Sequence, residues 1–215
     1  MLLEATCIRA VGNELSPFDR VSRQVLRRYL ARDVQDATRI PRFLLNDIVR
    51  YWRTVCVDFA YKDWEQAGRK WALRNVKLRM SRKLLFLAGL LTVFSCHNQS
   101  SEHTEDMAAN NSLRIQERLM TFVRSKPLEI LVCALNRLGL QQNCLRTLKL
   151  YDEFLRSIND RDVRQELSLI EEHADRNPAF VRLRDLSHEF QAELQAICFR
   201  EETDLRRFII EYGVF

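Results

Sequence analysis

Lys70, Arg74, Lys77 and Ser81 recur three or four positions apart, so a helix carries them to one side. Lysine and arginine form charge-assisted hydrogen bonds to phosphate oxygens, and a serine one turn from a lysine adds a donor without bulk. This row predicts a phosphate grip. A second row upstream, Asp47, Arg50, Thr54 and Asp58, follows the same spacing and supports the first through Asp47 and Arg50. The competing reading of both rows is a solvated helix face on which carboxylates pair with nearby arginines. Charge distribution brings the two readings level, because Arg42 to Lys83 holds eleven Lys and Arg against four Asp and Glu. That local net of +7 exceeds the +5 of the whole chain, so the remaining residues carry a net of −2.

Other residue sets are less suited to chemistry. Asp160 and Asp162 form a D-x-D, the arrangement that holds catalytic metals in polymerase-like enzymes, but they stand at a helix start and read as a cap and first-turn charge. The histidines at 97, 103, 173 and 188 have no metal-ligand spacing, and no metal is assigned. The six cysteines include no C-x-x-C pair, and buried reduced thiols are the expectation. Trp52 shares the apolar stripe of its helix and reads as core, whereas Trp64 and Trp71 flank a charged connection and could stack on bases. Arg182 and His188 have an R-x5-H spacing that resembles the active-site motif of HEPN ribonucleases. Leu183 stands where that family usually has a polar residue.

The elements that must position these residues are helices. With five glycines and four prolines in 215 residues, the chain lacks the turns that sandwiches, barrels or doubly wound sheets need. Glycine-rich phosphate loops are excluded. The expectation is an all-α bundle of about six to eight helices around a central buried one. Ser16-Pro17 caps a first helix to about Ala31, and residues 1–42 form an N-terminal docking segment plus that helix. Residues 43–95 supply the basic core helices, with Ala60 to Lys70 as a connection between them. From Trp71 to Phe94, Leu73, Val76, Met80, Leu84, Leu87 and Leu91 fall within about 80° of arc on a regular helix. The second half of that helix is apolar nearly all round and calls for enclosure.

Residues 96–112 read as a polar loop and 113–215 as supporting helices, all within one domain. Ser112, Asn159, Asp160 and Asn177 are candidate N-caps and Gly139 a C-terminal glycine. The uncharged run Leu84 to Ser95 spans twelve residues, short of the roughly 20 a membrane span needs. No signal peptide is visible, and a cytoplasmic protein is expected.

The run FLLNDIVRYWRT, followed by KWALRNVKLRMSRKLLFLAGL, resembles the helical C-terminal half of a group of bacterial nucleotidyltransferases with a polymerase-β-like catalytic domain. The likeness is strongest over Phe43 to Leu90. It implies a helical wall of a nucleotide cleft that gives a lysine and a serine to the triphosphate, here Lys77 and Ser81, with Lys70, Arg74 and the Asp47/Arg50 pair in support. The Gly-Ser turn and strand-borne acidic pair of the catalytic half are not found in this chain. The resemblance therefore implies an accessory domain without catalytic residues of its own. It would bind nucleotide or nucleic-acid phosphates and a catalytic partner domain in cis or trans, inactive alone, with magnesium expected only alongside that partner. The alternatives are a ribonuclease of HEPN type, acting through Arg182 and His188, and a structural protein-interaction module.

Overall fold

The computed structural model describes residues 17–33, 40–97, 107–170 and 177–212. The expected docking segment at Met1–Ile8 lies outside them. Every described regular element is helical: α1 (Pro17–Asp33), α2 (Arg42–Glu65), α3 (Trp71–Lys77), a π-helical turn (Leu78–Arg82), α4 (Lys83–Phe94), α5 (Met107–Arg124), α6 (Pro127–Arg137), α7 (Gln141–Asn159), α8 (Arg161–Leu169), α9 (Pro178–Gln195), a second π turn (Ala196–Arg200) and α10 (Asp204–Tyr212). The all-α expectation holds. No described helix is long and apolar enough to cross a membrane.

Local chemistry explains the ends. The Asp160 carboxylate accepts from the backbone N–H groups of Asp162 and Val163 at 2.9 and 3.0 Å, so the D-x-D is a helix cap. Asn177 caps α9 through the N–H of Phe180 at 3.1 Å, with Pro178 at the first helical position. After α6, Gly139 takes a φ of 74°, and the N–H of Leu140 bonds the Leu135 carbonyl at 2.8 Å, the glycine-dependent closure expected there.

Three local expectations are corrected. First, α2 runs to Glu65, through half of the expected connection, and the chain turns only over Gln66–Lys70. There Ala67, Gly68 and Lys70 all have positive φ, of 48°, 76° and 59°. Second, α5 starts at Met107, ahead of Ser112, because Ala108 and Ala109 favour helix within an otherwise polar run. Third, Trp71 to Phe94 is interrupted by the π turn, which inserts an extra residue and rotates the downstream residues against a regular wheel.

The chain divides into two compact units. One comprises residues 1–50, 85–134 and 212–215. In it α1 packs along α5, burying Leu26 and Leu30 with Ile115, Leu119, Met120 and Val123. Polar contacts fix that pairing: Arg23 pairs with Glu117, Gln116 Nε2 donates to the Arg23 carbonyl at 2.9 Å, and Arg124 Nε meets the buried Asp19 carboxylate at 3.0 Å. The same unit buries Leu85, Leu87, Ala88, Leu91, Val93 and Phe94 of α4, as the all-round apolar sequence requires.

The other unit comprises residues 51–84 and 135–211. Its centre is α7 against α9, where Phe154, Phe180 and Phe190 are almost wholly enclosed. The Tyr151 ring lies 5.4 Å from Phe154 and 6.1 Å from Phe190, and Trp71 stacks at a tilt on Phe180 at 5.1 Å. Trp71 is thereby taken up by packing. The helix α3 also packs on α8, which brings that short charged helix beside the basic row.

Candidate anion-binding sites

In the second unit the structure sorts the predicted phosphate residues into different surroundings. Lys70 precedes α3 and has left-handed backbone, so it stands outside the helical row. Arg74 turns inward and pairs with Asp63 at 3.4 Å, both side chains 18% exposed, and it also donates to the Gln66 side chain at 2.5 Å. Ser81 lies in the π turn and accepts from the Tyr151 hydroxyl at 3.2 Å. The regular wheel that aligned these residues fails at Lys70, which is not helical, and at Ser81, which the π turn re-aims.

Lys77 stands apart. Partial burial first, then the charges of Arg164 and Arg82, push its ammonium below the usual lysine range. The charges of Arg82 in the π turn and Arg164 on α8, both exposed, thus act on Lys77 of α3, the helix that packs against α8. No described carboxylate pairs with any of them. Arg82 and Arg164 were absent from the sequence-derived set. Arg82 lay inside the basic stretch, but Arg164 comes from a helix more than eighty residues later, and only tertiary packing brings it in.

Beside this cluster the π turn is tied to α9. Arg79 donates to His188 Nε2 at 2.9 Å, which leaves the imidazole proton on Nδ1, and Lys83 donates to Gln191. Burial, then Arg79, lowers the Lys83 ammonium, while Cys56 nearby acts the other way. Arg182 instead pairs with Glu153 of α7 at 3.1 Å. Six residues along one helix leave Arg182 and His188 about 120° apart, and each is engaged with a different neighbour.

In the first unit Asp47 and Arg50 line a cleft of about 790 Å³ with Val25, Arg28, Tyr29, Ala31, Phe43 and Asn46. The Tyr29 hydroxyl donates to Asp47 Oδ2 at 2.5 Å, and Arg50 pairs with Oδ1 at 3.2 Å. The Asp47 carboxylate is therefore held from both sides, and the helical row does contain the ion pair that the solvated-face reading expected. Burial and the hydrogen bond to Asp47 push the Tyr29 phenol up to about 12 from 10.0. A raised phenol is neutral in the folded protein, so its stabilising effect is complete below the unfolded value and is lost as pH climbs from 10 to about 12. Absorbance titration should show a late tyrosine step, and Tyr29→Phe should remove it.

Among the described residues no group of three His, Cys, Asp or Glu side chains could hold a metal ion. The described residues form an all-helical fold with a cationic cluster that has no described acidic partner and a cleft lined by Asp47 and Arg50. In comparison with known proteins, the chain matches no family model, no curated protein and no solved structure.

Proposed function

We propose that the chain is a helical accessory domain of a bacterial nucleotidyltransferase-like system that holds nucleotide or nucleic-acid phosphates at Lys77, Arg82 and Arg164. The observation that carries this reading is the convergence of three cations without a described acidic partner. Such a cluster repels itself, and a phosphate is the anion that would compensate all three. The two guanidiniums offer paired donors and the lysine a mobile point charge. A polymerase-β-like catalytic domain, in cis or trans, would supply the acidic metal ligands, and the cytoplasm the setting. Lys70, Arg74 and Ser81 leave the binding set on this reading, with Arg74 and Ser81 serving the fold. Asp47 and Arg50 belong to the separate cleft.

Fluorescence polarisation with a labelled single-stranded oligonucleotide, and competition by nucleoside triphosphates, tests the proposal. Three phosphate contacts to a single strand give a log–log salt slope of about −2. Lys77→Glu or Arg164→Glu should weaken binding at least tenfold, while Arg114→Glu, an exposed arginine of the other unit, should change it little. Arg161 would be a poor control because it lies one turn from Arg164 on α8. Equal losses at all three positions would reduce the effect to net charge, and no binding at low salt would end the reading.

A further inference from the structure

From Tyr51 to Glu65, α2 buries no residue, although nine of these fifteen are hydrophobic. Tyr51, Trp52, Val55, Cys56 and Phe59 are half-buried, whereas Val57, Tyr61 and Trp64 are 67%, 53% and 79% exposed. Those three share about 60° of the helix surface, at i, i+4 and i+7. The Tyr61 and Trp64 rings lie 6.0 Å apart, so the stripe is continuous. Its ends carry opposite charge. Arg53, one turn before Val57, has no described partner, and Glu65, one turn after Tyr61, accepts only a long bond from the Tyr61 hydroxyl at 3.4 Å.

We propose that this stripe is the seat of a twofold, antiparallel contact with a second copy of the chain. A dyad at the level of Phe59 sets Val57 against Tyr61, Thr54 against Trp64 and Arg53 against Glu65, each pair formed twice. That is the self-complementarity an isologous interface requires. A parallel pairing would instead set Arg53 on Arg53 and Glu65 on Glu65, and like charges facing one another disfavour it. Exposed tryptophan and tyrosine are residue types enriched among those that dominate association energies. The stripe is short, one side of four helical turns, so the dimer is expected to dissociate in the range of about 1–100 µM.

Sedimentation equilibrium of the full chain, from about 1 to about 300 µM, should show a reversible monomer–dimer transition. Val57→Asp should raise the dissociation constant at least tenfold without changing the helical circular dichroism. Arg53→Glu and Glu65→Arg should each weaken the dimer at least tenfold. Both changes in one chain should restore it to within about threefold, because the swap reinstates the charge pairs. This rescue keeps the test sharp if Val57→Asp misfolds. A monomer throughout the range overturns the proposal, as does a dimer indifferent to the charge variants. A monomer that binds single-stranded oligonucleotide, and loses it on Trp64→Ala, also overturns it and gives the stripe to nucleic acid. Arg164→Glu should leave the dimer intact, so failure here and failure of the phosphate reading are separable.

Discussion

Leu87→Asp is expected to abolish soluble folded protein. Leu87 is 3% exposed in α4, a helix whose neighbouring positions Leu85, Ala88 and Leu91 are equally enclosed. The one cation of α4, Lys83, stands a turn earlier and already donates to Gln191, so a carboxylate placed there competes for an engaged ammonium. The carboxylate must either stay neutral or carry a desolvation penalty of several kcal/mol, roughly the net stability of an ordinary domain. The same position changed to Ala loses only buried methyl groups, at about 2–5 kcal/mol, and should give a soluble protein with a lowered melting temperature. Expression in the soluble fraction and thermal circular dichroism separate the two variants. A Leu87→Asp protein that melts like the parent would place α4 at the periphery.

Helix existence was legible because its signals are local. Asp160, Asn177 and Gly139 act within three or four residues of themselves, and their side chains or backbone do what their types suggest. The enclosure of α4 was equally plain, since no polar face was on offer. Faces were harder to read than elements. On α7 Leu145 repeats with Leu148, Tyr151 and Ile158 at helical spacing, yet it is 52% exposed, and Asn143, Cys144 and Thr147 are buried instead. Thr147 tolerates this by donating its hydroxyl to the Asn143 carbonyl at 2.8 Å, and Asn143 by donating to Glu193 at 2.9 Å. A hydrophobic count cannot anticipate polar residues satisfied by their own helix and a neighbour.

The candidate site was half legible for a similar reason. The positive stretch and Lys77 were visible as composition and spacing. The π turn was not, because a single extra residue in the helix ladder has no sequence signature of its own, and it re-aims everything from Leu78 onward. Arg164 entered only when α8 packed on α3. Arg74 left the set because the turn at Gln66–Lys70 folds Asp63 back against it, a pairing eleven residues apart that helical periodicity does not address.

That pairing sets the remaining large effect. Asp63→Ala should destabilise the protein by about 1–3 kcal/mol, more than its small loss of packing would suggest. The Arg74 guanidinium, 18% exposed, would keep the Gln66 side chain but lose its only described carboxylate, and its Nε already lacks a partner. A half-buried cation stripped of its counter-charge must recruit water or leave the site, and leaving would pull the start of α3 away from the end of α2. Removing both charges together, as Asp63→Leu with Arg74→Met, should cost far less than Asp63→Ala alone, since no uncompensated charge remains. Chemical denaturation of the parent, the single variant and the double variant measures this difference directly. The double variant should also bind oligonucleotide as the parent does, because Lys77, Arg82 and Arg164 are untouched. A double variant that is stable but has lost binding would return Arg74 to the phosphate site, and a mild Asp63→Ala would show that the ion pair is not what holds this corner of the fold.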